Sequence, residues 1–338
     1  MGIRNSGIRG LTSNPTIFQK AIQGSEDYSE QFTTLVNQKL SPIDCYWQLV
    51  LRDINSALEI FEPLYESSSG LDGFVSVEVD PSLAHEQSKT LLAARELDEQ
   101  IKRPNVMIKI PATVEGVPVI KTMISEGRNV NVTLIFSLER YQEVIDAYIE
   151  GLEILATINP KAVASVSSVA SFFISRVDTE IDRQLELVGS DQANGLLGTA
   201  AINQAKLAYQ MFKKSFSGPR WSKLAQLGAN VQRPLWASTS TKNPKYRDTL
   251  YVDALIGEHT VNTLPDTTVE AFSDHGSLNS TIETNLDTAN SQWADLKTVG
   301  VDVSEVAAKL EREGVASFQK SFDELLAALS AKTVELLK

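Results

Sequence analysis

Residues 74–81 read FVSVEVDP and residues 106–113 read VMIKIPAT. In an extended chain, successive side chains point to opposite faces. The first run therefore opposes Val75, Val77 and Val79 to Ser76 and Glu78, and the second opposes Ile108 and Ile110 to Lys109. A third run, NVNVTLIFS at 129–137, opposes Val130, Val132 and Leu134 to Asn131 and Thr133 in the same way. An open doubly wound sheet buries both faces under helices and has no use for rows of polar side chains. A closed barrel does, because its interior near the strand C-termini is where such enzymes place their chemistry. The pattern predicts an α/β fold, a (β/α)8 barrel of the TIM type.

Outward from these runs, the spacing predicts seven strands: Ile8–Thr12, Phe74–Val79, Val106–Ile110, Val130–Ile135, Val163–Ser168, Leu235–Ser238 and Val261–Leu264. Segments with helical periodicity lie between them, Ser82–Lys102 and Ser137–Ala156 among them. Alternating strands and helices make a parallel sheet. Seven is one short of eight, and the first begins almost at Met1, so the barrel is expected to be incomplete at its first strand. The stretch 189–233 is too long for a plain connection and is expected to be a helical insertion. The tail 303–338 is expected to form one or two amphipathic helices. No linker or repeat interrupts residues 1–338, which predicts a single domain.

Composition narrows the function. The chain has 338 residues, of which 42% are hydrophobic and 22% charged, as suits a globular protein with a large core. Its net charge of -12 argues against a nucleic-acid or anionic-membrane partner. No apolar run reaches the length of a membrane span, about twenty residues, and the N-terminus lacks a signal-peptide pattern. Cys45 is the one cysteine, which excludes an internal disulfide and suggests a reducing compartment. His85, His259 and His275 lie far apart, leaving little from which to build a metal site.

Lys109 poses the sharpest question, since a buried ammonium must be paired or neutralised. It can balance Glu78 one strand over, as buried ion pairs do without catalysis. Alternatively it can be a nucleophile: an ordinary lysine is only a few parts in about ten thousand neutral at pH 7, so an imine-forming lysine needs desolvation, which this apolar run supplies. Glu78 then serves as general acid and base. Asn131 and Thr133 can satisfy neighbouring polar groups or hold sugar hydroxyls. TSNPTIF at 12–18 starts a turn at Asn14 and Pro15. SFFISRVD at 171–178 places Ser171 and Arg176 just beyond a strand, and STSTKNP at 238–244 places Ser238 and Lys242 at another strand end; cationic and hydroxyl groups of this kind suit a sugar phosphate. Neither G-x-G-x-x-G nor G-x-x-x-x-G-K-[ST] occurs.

Taken together, GIRGLTSNPTIF, FVSVEVDP, VMIKIPAT, NVNVTLIFS, SVASFFISRVD and LWASTSTKNP resemble transaldolase, most closely the long form of plants and actinobacteria, with SFSGPRW and FSDHG as further matches. The resemblance runs in order from about residue 7 to the C-terminal end. It implies a metal-free, cofactor-free transferase of the pentose phosphate pathway that moves a dihydroxyacetone unit from sedoheptulose 7-phosphate or fructose 6-phosphate to glyceraldehyde 3-phosphate or erythrose 4-phosphate. It implies that Lys109 forms the Schiff base, that Glu78 acts through the catalytic water and that Thr133 positions that water. Asn14 and Asn131 would hold the donor and the lysine adduct, Ser171 would line the donor site, and Arg176 and Ser238 would grip phosphate, with Lys242 as an additional phosphate contact.

The family also carries an aspartate on its first barrel strand, and Met1–Ser6 contain no carboxylate. The expectation is that the chain lacks that strand, whether through trimming, a misassigned start or a natural short form. A sugar-phosphate-binding pseudoenzyme and a plain class I aldolase therefore stand beside transaldolase as alternatives. An open barrel edge would also favour self-association. The expected location is the cytoplasm, or a plastid if a longer precursor carries a transit peptide.

Overall fold

The computed structural model describes residues 7–337, so Met1–Ser6 and the question of a strand there lie outside the described residues. Those residues divide into two compact units, 7–110 with 314–337 and Pro111–Glu313. Throughout, strands run parallel and alternate with helices, the α/β arrangement of a TIM-type barrel.

The first unit is built on β1 (Gly10–Thr12), β2 (Phe74–Glu78) and β3 (Val106–Pro111), bonded in that order. The register sets Gly10 beside Phe74, Val75 beside Val106 and Glu78 beside Lys109. Gly10 is required at the first of these pairs, because a Cβ there would lie 2.6 Å from the Phe74 carbonyl oxygen. Asn14 caps the Pro15–Gly24 helix by accepting from the Ile17 N–H, and Ser41 likewise caps the Pro42–Ser67 helix. Phe318, Phe322, Leu325 and Leu329 are buried at intervals of four, three and four, so one stripe of the tail helix faces this unit's core. Thr16 bonds Ser321 at 2.8 Å, and the Tyr46 and Phe322 rings meet edge to face at 5.1 Å.

The second unit carries β4 (Val130–Ile135), β5 (Ser168–Phe173), β6 (Arg233–Ala237) and β7 (Val261–Asn262), also bonded in sequence order. Both faces of β4 and β5 are buried. Gly151 on the Leu138–Ile158 helix lets that helix close on Ile124, which a Cβ would meet at 2.8 Å. The stretch expected to be a helical insertion folds as Asp191–Asn194, Ala200–Ser215 and Pro219–Ala225. The tail is one helix of 34 residues, Val303–Leu336.

Seven strands form among the described residues; Val130–Ile135 matches its expected bounds, Phe74–Glu78 and Val106–Pro111 differ at one end by a single residue, Arg233–Ala237 starts and ends slightly early, and the other three differ as follows. Most displaced is Val163–Ser168: Pro160–Ser165 is a 3₁₀ turn, and the strand is Ser168–Phe173. Pro160 fixes a turn directly after the Leu138–Ile158 helix, and Val163 and Val166 are buried from that turn rather than by strand alternation. Ser171 consequently lies on β5, not beyond it, and Arg176 sits in the first turn of the Ser175–Val188 helix. β1 starts at Gly10 rather than Ile8, and β7 ends at Asn262, three residues before Pro265.

Asn105 holds the entry to β3. It is 1% exposed, and its Nδ2 donates to the carbonyls of Leu58 and Gly73, each at 3.1 Å. Asn105→Ala strands both buried carbonyls and is expected to cost roughly 2 kcal/mol, read as a lower urea midpoint at unchanged slope. A loss of only a few tenths of that would contradict this assignment.

Candidate active site

Parity and register together bring Lys109 and Glu78 face to face. Both side chains are 6% exposed, and Lys109 Nζ lies 3.0 Å from Glu78 Oε2. The ammonium makes a second bond, 2.8 Å to the main-chain carbonyl of Ser13, just past the end of β1. Ser13 is itself pinned, its N–H and hydroxyl both donating to the Ser76 carbonyl at 3.1 and 2.9 Å. The three strand ends of the first unit thus converge on one amine. Asn14 follows Ser13 directly, its side chain engaged in the helix cap.

Burial pushes the Glu78 carboxyl above the usual carboxylate range, and the Lys109 ammonium acts against that shift through charge and hydrogen bond. Tyr46, 3% exposed on the Pro42–Ser67 helix, lies close enough to feel the same carboxylate. Burial raises its phenol pKa most, and the Glu78 and Asp80 charges raise it further. Asp80 turns away and caps the Pro81–Leu83 turn, as its place before proline predicts.

In the second unit, Ser171 Oγ donates to Asn131 Oδ1 at 2.7 Å, tying β4 to β5 through their polar face. Thr133 is 1% exposed, and its main-chain carbonyl accepts from the Ala112 N–H at 2.8 Å. The next residue, Leu134, is buried with φ at +60°, and the β4–β5 register shifts between Val132 and Ile135. A left-handed leucine is disfavoured by roughly 1–2 kcal/mol, and bulges of this type re-aim neighbouring side chains. Here the neighbour is Thr133.

Ser238 directly follows β6, with φ at +58°. Its carbonyl accepts from the Ser175 N–H at 3.0 Å, and the two hydroxyls bond at 2.9 Å. Arg176 follows Ser175 in the first turn of its helix, so Ser238 and Arg176 are held as neighbours. The guanidinium stacks 5.3 Å from the Phe173 ring centroid, and burial lowers its pKa against the opposing pull of Glu313. A half-buried cation at a helix N-terminus is a setting for an anion. Lys242 is exposed and donates to Ser240 at 2.8 Å, apart from this cluster's bonds.

Each unit therefore groups part of the expected set: Lys109, Glu78 and Asn14 in one; Asn131 with Ser171, and Ser238 with Arg176, in the other. Sequence reasoning missed the Ser13 carbonyl, Ser175 and Tyr46. Main-chain acceptors leave no trace in residue type, and Tyr46 comes from a helix 32 residues before Glu78. Among the described residues no three His, Cys, Asp or Glu side chains gather as a metal site.

Comparison with known proteins finds one family throughout. A family model described as Transaldolase/Fructose-6-phosphate aldolase matches residues 2–329. The transaldolase of Parafrankia sp. (strain EAN1pec) is 48% identical over 324 residues, covering 96% of this chain and 88% of that protein. Transaldolase 1 of Streptomyces coelicolor is 46% identical over 329 residues, covering 97% and 86%. The transaldolase of Thermobifida fusca is 46% identical over 325 residues, covering 96% and 88%.

The ion pair has a pH signature. A carboxyl raised in the folded state contributes stability that is fully present below its unfolded pKa and lost as pH rises through the folded one. Lys109→Met removes the charge opposing that rise. Its loss of stability is expected to be small at pH 5.5 and about 3 kcal/mol at pH 8.5, with Glu78→Gln in the same background restoring most of it. Urea melts that show equal losses at both pH values, or no restoration, would refute the coupling.

Proposed function

The chain belongs to the transaldolase/fructose-6-phosphate aldolase family, and we propose that it is a transaldolase working through an imine on Lys109. The observation that carries this reading is a buried amine 3.0 Å from a buried carboxylate, with a main-chain carbonyl as its other partner. An amine must lose its proton before it can attack a carbonyl. The Glu78 carboxylate, which burial makes a stronger base, is placed to receive that proton.

In this reading the donor is sedoheptulose 7-phosphate or fructose 6-phosphate, as in the pentose phosphate pathway. The Lys109 nitrogen adds to the C2 carbonyl, and the carbinolamine loses water as protons pass through Glu78 and a water that Thr133 positions. The C3–C4 bond then breaks, its electrons forming the enamine on Lys109, while the C4 hydroxyl passes its proton to a water and the aldose departs. The enamine attacks glyceraldehyde 3-phosphate or erythrose 4-phosphate, and hydrolysis of the new imine releases the product ketose. No oxidant, reductant or cofactor enters this balance. Asn14, Asn131 and Ser171 are assigned to the donor's hydroxyls and the adduct, and Arg176 and Ser238 to phosphate, with Lys242 as an outer contact. The one cysteine, Cys45, is free and buried, in keeping with a reducing cytoplasm as the site of action.

Borohydride reduction in the presence of fructose 6-phosphate tests the covalent step. Peptide mass spectrometry is expected to find the reduced sugar adduct on Lys109 and none in Lys109→Ala. An adduct on another lysine, or none on folded protein, would overturn the assignment. Transfer is separated from plain aldol cleavage by omitting the acceptor: transaldolase releases little free dihydroxyacetone, whereas an aldolase releases it with each turnover.

A further inference from the structure

The Ser175–Val188 helix carries two buried carboxylates one turn apart that have no part in the reaction above. Asp178 is 1% exposed and Asp182 is 7% exposed, and each accepts from one main-chain amide and one phenol. Asp178 Oδ1 accepts from the Ala201 N–H at 2.7 Å and its Oδ2 from the Tyr251 hydroxyl at 2.8 Å. Asp182 Oδ1 accepts from the Gly198 N–H at 2.9 Å and its Oδ2 from the Tyr246 hydroxyl at 2.6 Å. No cation enters the bonds of either carboxylate; two phenols and two main-chain amides satisfy them. Burial lifts the Asp178 carboxyl to about 7 even though both donors pull it down.

What the phenols hold is informative. Between β6 and the Leu250–Ala254 helix, residues 238–249 form no regular secondary structure, so side chains must fix their path. At the start, Thr239 bonds Asn262 Oδ1 at 2.7 Å, while Arg247 and Thr249 hold Asp253 near the end. Tyr246 ties the later part of this segment to the Ser175–Val188 helix. Its ring lies over Gly198, where a Cβ would come within 2.8 Å of Tyr246 Cζ, so glycine is needed there both for φ of +71° and for space. The segment begins at Ser238, and the helix begins with Ser175 and Arg176. The two phenol bonds are therefore the far fastening of a joint whose near end is the Ser175–Ser238 pair.

We propose that Tyr246 and Tyr251, acting through Asp182 and Asp178, are positioning residues that hold segment 238–249 and the start of the Leu250–Ala254 helix on the Ser175–Val188 helix so that Ser238 and Arg176 grip the substrate phosphate together. The proposal rests on the phosphate assignment made above. It predicts that the phenol hydroxyls serve the phosphate and not the bond-breaking step.

The test compares KM and kcat for fructose 6-phosphate and for unphosphorylated fructose, with one acceptor at saturation, in Tyr246→Phe, Tyr251→Phe and Arg176→Ala. Either phenylalanine variant is expected to raise KM for fructose 6-phosphate by about tenfold, the scale of one hydrogen bond to a charged group, while kcat and the KM for fructose stay within about twofold. Gly198→Ala, which displaces the Tyr246 ring without removing its hydroxyl, is expected to show the same split. A purely structural role would lower stability or move both substrates alike, and that result would overturn the proposal. If Tyr251→Phe does not fold, Tyr246→Phe, at a half-buried position, decides alone. Arg176→Ala separates the two levels of inference: if it spares the preference for fructose 6-phosphate, the phosphate assignment is wrong; if it abolishes that preference while the phenylalanine variants keep it, the fastening is wrong.

Discussion

A lysine ammonium and a glutamate carboxylate, 3.0 Å apart and almost sealed from solvent, are the constraint to which the first unit is built. Neither group can be left alone there, because an unpaired buried charge costs several kcal/mol, roughly 3–5 when one partner is removed. Pairing them requires the β2–β3 register that sets Glu78 beside Lys109. Shifting that register by one residue would turn Glu78 outward and bring a valine onto Lys109. A second ammonium proton needs an acceptor, and the chain supplies it with the Ser13 carbonyl just past the end of β1. Close β1–β2 approach depends in turn on the absence of a side chain at Gly10.

The second unit shows the same economy at strained backbone. Leu134 and Ser238 both adopt left-handed conformations that glycine would take more easily; the first adjoins the proposed functional residue Thr133 and the second is one itself. Strain of this kind persists only where surrounding bonds over-determine it. For Ser238 those bonds are the two to Ser175; for Leu134 they are the flanking β4 ladder and the Ala112–Thr133 bond.

How much of this the sequence discloses follows from the range of each interaction. Alternation along FVSVEV and VMIKI places Glu78 and Lys109 on one face with no knowledge of tertiary structure, whereas Asn14 before Pro15 discloses only a turn, which the structure shows to be the start of a helix. The strand at Val163–Ser168 misleads because valines at 163, 166 and 169 suit either a strand or a buried turn, and only the position of Pro160 after a long helix distinguishes them. The phenol–carboxylate bonds are invisible for another reason. Their partners lie 64 and 73 residues apart, and a tyrosine carries no local sign that a distant aspartate awaits it.

The central claim is that Lys109 and Glu78 act as one reactive pair, the carboxylate taking and returning the protons that imine formation moves. The most direct measurement is the rate at which the borohydride-trapped adduct accumulates on Lys109 after rapid mixing with fructose 6-phosphate, in the wild type and in Glu78→Gln. Positioned proton transfer is worth about 10²–10⁴ in rate. The account predicts an adduct on the same lysine in both proteins, formed at least about tenfold more slowly in the variant. Equal rates would show that Glu78 only balances charge, and the account of the pair as a catalytic unit would fail.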